Sequence, residues 1–134
     1  MENEYLYRGK RKDNGEWVEG NLVQTVGGSY IVVPYKHETI LGEGSVIEID
    51  PSTICQCTGL RDKNGKLIWE NDIVRDAHGN FYKAFWQNNY YQFSWICVKS
   101  DVFSIGAKWD LWSFRSFEIE VIGNIFDNPE LLEG

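Results

Sequence analysis

Residues 80–98, NFYKAFWQNNYYQFSWICV, constrain the fold of this chain more than any other stretch. Two aromatic, β-prone runs flank Gln87-Asn88-Asn89, and asparagine tolerates the left-handed backbone that a tight hairpin needs. Side chains alternate along a strand, so Tyr91, Phe93, Trp95 and Cys97 share one face. Tyr90, Gln92, Ser94, Ile96 and Val98 share the other. One face reads as core and the other as mixed.

The rest of the chain repeats that theme. EWVEGNLVQ alternates Trp17, Val18, Leu22 and Val23 with polar residues. GGSYIVVPY carries the apolar run Tyr30–Val33 between Gly27-Gly28 and Pro34, as a strand should. SVIEID follows and is stopped by Pro51. FEIEVIGNIF predicts a further strand with Phe117, Ile119 and Val121 on one side. The main helical signal is DNPELLEG. There Asn128 can cap, Pro129 suits the first helical position and Glu130 favours the positive end of the dipole. The expected fold is therefore mainly β, closing on a short helical turn.

A chain of 134 residues that is 43% hydrophobic, with six Trp, can bury a real core. No apolar run approaches the roughly 20 residues of a membrane span, so no membrane partner is expected. MENEYLYRGK lacks a basic-then-apolar leader. Three cysteines without a secreted disulfide spacing favour a reducing, cytoplasmic home. The net charge of −7 argues against duplex DNA, whose binding depends on neutralising phosphates.

An internal echo links residues 8–23, RGKRKDNGEWVEGNLV, with residues 58–74, TGLRDKNGKLIWENDIV. Asn14-Gly15 matches Asn64-Gly65, and after a one-residue gap Glu19 aligns with Glu70. Both copies predict an Asn-Gly turn, a strand containing Trp17 or Trp69, an acidic turn and a second strand. The echo reads either as two convergent hairpins or as a duplication giving two equivalent lobes.

Candidate chemistry is sparse. Cys55-x-Cys57 would point both thiols to one face of a strand, and with His37 or His78 could bind zinc. The spacing supplies only one of the two pairs a structural site needs, so no metal site is assigned and the thiols read as core. Glu70 and Asp72 flank a turn and invite an acid–base reading, but solvated turn residues satisfying backbone N–H groups account for them as well. No nucleophile elbow, P-loop or dinucleotide fingerprint is present, and the G-x-G of LGEGSV precedes a strand. No catalytic residue and no cofactor are assigned.

Two aromatic clusters remain. Tyr82, Lys83, Trp86 and Tyr90 on the predicted hairpin could form a stacking surface for single-stranded nucleic acid, although basic residues there are few. A small β core also needs bulky residues simply to fill it. The second cluster, KWDLWSFRSF, sets Trp109, Trp112, Phe114 and Arg115 on a segment with neither clean period. Aromatic residues and arginine dominate interface hot spots, so this cluster is the expected interaction patch.

DPSTICQCTGLRDKNGKLIWENDIV, followed late in the chain by EVIGNIFDNPELL, resembles the YopX family of phage and prophage proteins. That family carries a Q-x-T-G-L-x-D-x-x-G-x-x-I-aromatic-E-G-D-I-V core and an I-G-N-I-x-x-N-P-E-L-L ending. The match runs through Gln56, Thr58, Gly59, Leu60, Asp62, Gly65, Ile68, Trp69, Glu70, Asp72, Ile73 and Val74. It resumes over Ile122–Ile125 and Asn128–Leu132. Asn71 stands where the family usually has Gly, and can still adopt a positive φ. Cys57 replaces a common aromatic.

The resemblance implies a mainly β chain whose second half closes into a small SH3-like barrel starting near ENDIV. The expected division is an N-terminal β lobe over 1–60 and an SH3-like β-barrel lobe over 61–134, or one continuous compact unit. Gly59, Asp62, Asn64, Gly65, Trp69, Glu70 and Asp72 are then architectural. It supplies no activity. The expected role is a cytoplasmic, non-enzymatic accessory protein that binds a protein partner or itself. A single-stranded nucleic-acid binder is the alternative, and an enzyme a distant third.

Overall fold

The alternating runs pair as antiparallel strands throughout the computed structural model, which describes residues 7–33, 45–115 and 118–133. Contacts divide the chain into two compact units, Met1–Cys57 and Thr58–Gly134. Their strands hydrogen-bond into a six-stranded and a five-stranded sheet.

In the first unit, β1 (Tyr7–Lys10), β2 (Trp17–Thr25), β3 (Gly28–Val33) and β4 (Ser45–Ile49) form a meander, and β5 starts at Cys55 beside β1. Ile31, Ile49 and Cys55 are fully buried. Pro51 stops β4 and opens a 3-10 turn, Pro51–Thr53, capped by the Asp50 carboxylate accepting from Ser52 N–H. The turn locks onto β1, because Lys10 N–H donates to Thr53 Oγ1 at 2.8 Å. The Arg8 guanidinium lies 4.2 Å from the centre of the Trp17 ring, a cation–π contact.

The second unit continues β5 to Arg61 and adds β6 (Leu67–Trp69), β7 (Asp72–Arg75), β8 (Phe81–Gln87), β9 (Gln92–Lys99), β10 (Lys108–Asp110) and β11 (Glu120–Asn124). Its core gathers Ile68, Val74, Tyr82, Ala84, Trp95, Cys97, Leu111 and Ile119. Trp95 is its largest fully buried side chain, and burial of a large apolar group contributes roughly 1.5–3 kcal/mol. The Trp95 indole N–H is satisfied by Leu111 O at 3.1 Å.

Three expectations are corrected. The sheet of β7–β11 is open: its strand order ends at β10 and β11, which do not pair, so no closed barrel forms among the described residues. The β8–β9 loop is Asn88–Tyr91, one residue longer than the Gln87-Asn88-Asn89 turn and shifted along the chain, and Tyr91 rather than an asparagine takes the positive φ of 52°. The echo breaks at its second turn. β2 runs unbroken through Glu19-Gly20, whereas Glu70-Asn71 separates β6 from β7 with Asn71 at φ 73°.

Candidate functional site

The motif residues of 59–72 assemble a set of backbone anchors. Gly59 sits exposed on β5 at φ 86°. Asp62, 3% exposed, accepts from the N–H groups of Asn64, Lys66 and Val121, each at 2.9 Å. Burial opposes its ionisation, but the donors of Val121, Lys66 and Asn64 outweigh that cost and hold the carboxyl below its ordinary value. One side chain thus closes the Asp62–Lys66 turn, with Gly65 at φ 83°, and pins β11 to it.

Asp72 is also turned inward, 2% exposed, accepting from Trp69 N–H at 2.8 Å. The neighbouring Glu70 is half-buried. Asp72 thus bonds a backbone N–H as expected, but from inside the unit rather than in solvent. Asn71 ties the same turn to β8 and to the residue that follows β11: its N–H donates to Ala84 O at 2.7 Å and its carbonyl accepts from Ile125 N–H at 3.1 Å.

The C-terminal motif closes a second lock. Asn124 Oδ1 accepts from Phe126 and Asp127 N–H, and Asn124 N–H donates to Asn128 Oδ1 at 3.2 Å. The Asn128 side chain lies so close to Gly123 that a Cβ there would collide with it. Asn128 therefore holds the preceding turn, and makes no side-chain cap to the 3-10 turn Pro129–Leu132 that follows.

A geometric twin of the Asp62 turn escaped the sequence reading. Asp76 accepts at Oδ1 from His78 and Asn80 N–H, both at 2.9 Å, and at Oδ2 from Asn80 Nδ2 and the Tyr82 hydroxyl. The signal was present as D-x-x-G, Asp62 to Gly65 and Asp76 to Gly79. Burial opposes Asp76 ionisation, yet the Asn80, Tyr82 and His78 donors keep its carboxyl below the usual value. Burial, and then Asp76, push the Tyr82 phenol well above its ordinary value. The network continues outward, since Ser100 Oγ donates to Asn80 Oδ1 at 2.6 Å.

The aromatic candidates separate on burial. Tyr82 is 1% exposed, packed 5.4 Å edge-on to Trp109 and 4.7 Å from Phe114, so its ring is closed to a stacking base. Lys83, next along the strand, points to the opposite face. Trp86 is half-buried against Phe93 at 5.0 Å, and Tyr90 is 66% exposed at the hairpin tip. These four residues do not make one platform. In the second cluster, Trp109 and Phe114 pack on the core, Arg115 is exposed, and the Trp112 side chain lies outside the described residues, as do Phe117 and His37.

The large exposed apolar side chains beside this cluster belong to the β9–β10 loop instead. Val102 is 77%, Phe103 41% and Ile105 65% exposed. The loop is firmly built. Val102 and Phe103 N–H donate to Ser100 Oγ, Gly106 N–H to Cys97 O and Cys97 N–H to Ala107 O. Phe103 also rests edge-on against Trp109 at 5.1 Å. Sequence reading passed over SDVFSIGA because it has no period, although an apolar run between polar residues was its visible signal.

Cys55 is buried, its thiol donating to Thr53 O at 3.3 Å, and Cys57 is half-buried. Among the described residues no three His, Cys, Asp or Glu side chains gather as metal ligands. His78 stands exposed on the Asp76 turn. No helix among the described residues is long and apolar enough to cross a membrane.

Open antiparallel sheets, turns locked by Asp62 and Asp76, and a braced apolar loop define a small, mainly β protein. The chain belongs to the YopX family, whose sequence model, described as YopX protein, matches residues 6–133. No curated protein matches it.

Proposed function

We propose that this YopX family member is a non-enzymatic phage or prophage accessory protein that acts in the host cytoplasm by binding another protein. The observation that carries this reading is the β9–β10 loop, where Val102, Phe103 and Ile105 face solvent on a backbone held by Ser100. Apolar groups left in water on a rigid loop contribute binding energy at little ordering cost. The occupant is a protein offering an apolar pocket. Three side chains on one loop fall well short of the roughly 800 Å² per partner of a stable symmetric interface. They suit insertion as anchors into a complementary cavity.

The test places a photo-crosslinking residue at Ile105 in cells carrying the element, then measures the captured protein against purified chain. The double change Val102→Asp with Ile105→Asp should weaken that binding by about 30-fold or more, as loss of a hot spot does. Its melting temperature should hold, since both side chains are exposed. Adducts only to a second copy would replace the partner with self-assembly. Adducts only to nucleic acid would overturn the reading.

A further inference from the structure

A second surface lies on the other face of the sheet of β7–β11. The residues lining a groove of about 550 Å³ include Gln87, Tyr90, Gln92, Ser94, Lys108 and Asp110. Register explains the assembly. Gln87 opposes Gln92 across β8 and β9, and Ser94 opposes Asp110 across β9 and β10. Lys108, two residues before Asp110, shares its face.

The floor is prearranged. Ser94, 1% exposed, donates from Oγ to Gln87 Oε1 at 2.8 Å, while Gln92 Nε2 donates to Asp110 Oδ1 at 3.0 Å and lies 3.4 Å from Ser94 Oγ. These bonds fix Gln87 and Gln92 with their amide planes set. Capacity remains at the Gln87 amide nitrogen, Asp110 Oδ2 and the Lys108 ammonium, which mix donors and acceptors within one groove.

We infer that this groove is a binding site for a neutral saccharide, with Tyr90 as the face against which a sugar ring packs. Hydroxyl groups donate and accept at once, which matches interleaved amide, carboxylate and ammonium groups. The competing chemistries fit less well. Lys108 and Asp110 cancel in charge, so a phosphate gains little net attraction. β9 is paired on both sides, so the floor offers side chains rather than the free backbone edge that an added peptide strand requires. An apolar ligand would strip water from Gln92, Asp110 and the Lys108 ammonium. The inference is independent of the loop proposed to bind protein.

The experiment titrates isotope-labelled protein with chitotetraose and with maltotetraose, following backbone and glutamine side-chain NMR signals, with adenosine monophosphate as the charged comparison. Concentration-dependent shifts confined to Gln87, Tyr90, Gln92 and Lys108 with at least one sugar are expected. Tyr90→Ala and Gln92→Ala should each weaken that binding by about 5-fold or more, a typical loss for one aromatic or hydrogen-bonding contact. Tyr90 is 66% exposed, so its variant keeps the fold and tests binding alone. No shift with either sugar up to millimolar concentration, shifts outside the groove, shifts indifferent to both variants, or stronger binding of the nucleotide would each overturn the inference.

Discussion

Two turns that read alike in sequence, Arg11–Glu16 and Asp62–Lys66, are held in different ways. Both place Asn-Gly at the tip, and both glycines have positive φ, 75° at Gly15 and 83° at Gly65. In the first, Asn14 Oδ1 accepts from Glu16 N–H and Arg11 pairs with the exposed Asp13, while a backbone bond, Lys12 N–H to Glu48 O, reaches a distant strand. In the second, a buried carboxylate bonds its own turn and also a strand that follows 59 residues later, through Val121 N–H. Similar turn chemistry therefore says little about anchoring. What differs is whether the side chain that caps the turn has a distant backbone group to hold.

The sharpest way to break this comparison is to remove each cap. Asp62→Ala strands buried N–H groups and should cost about 2–4 kcal/mol in urea unfolding, whereas Asn14→Ala should cost about 0.5 kcal/mol or less. Equal losses would sink the distinction. Next comes the backbone itself. Gly65→Val and Gly15→Val should each cost about 1–2 kcal/mol, because a β-branched residue is strained at positive φ and neither site has a neighbour to clash with. An unchanged melting temperature for Gly65→Val would remove the claim for that turn.

Acid sharpens the contrast further. The folded-state carboxyls of Asp62 and Asp76 lie below the ordinary 3.8, so the unfolded chain binds more protons as pH falls toward that value. Their stabilisation is fully present above pH 3.8 and is lost as pH drops through the folded-state values. Asp62→Asn should flatten that acid limb in a pH series of unfolding curves. Asp13 is lowered too, by the hydrogen bond from Arg11, yet its setting is fully exposed. The smallest expected effect is Asp13→Asn, which should leave the unfolding midpoint at neutral pH nearly unchanged, as for other exposed ion pairs. A larger loss would show that the Asp13 side chain, and not only the Lys12 N–H bond to Glu48 O, anchors the first turn.

The mainly β class was legible because alternation with period 2 and the punctuation of Gly, Asn and Pro act over a few residues. Pro51 did end β4, and Asn71 did take the positive φ read for it. The residues 59–72 were recognisable as architecture, and Asp72 as a partner for backbone N–H groups, but not that Asp62 and Asp72 make these bonds facing inward. The Asp76 twin went unread because His78 and Asn80 disguise a turn that contains no Asn-Gly pair. Closure into a barrel was expected from resemblance, and local pattern carries no information on whether β10 meets β11.

The candidate surfaces were less legible. Tyr82 and Trp109 look like Tyr90 in composition, yet two belong to the core and its cover while the third stands at a hairpin tip. The chain by itself determined where strands run, where they turn, and which side chains share a face, since these follow from local sterics and the pleat. Only the tertiary structure decided which face became core, which carboxylates found distant N–H groups, and that Val102, Phe103 and Ile105 stayed in water. Burial and long-range hydrogen bonds depend on what packs opposite, and a partner tens of residues away leaves no mark on the local pattern.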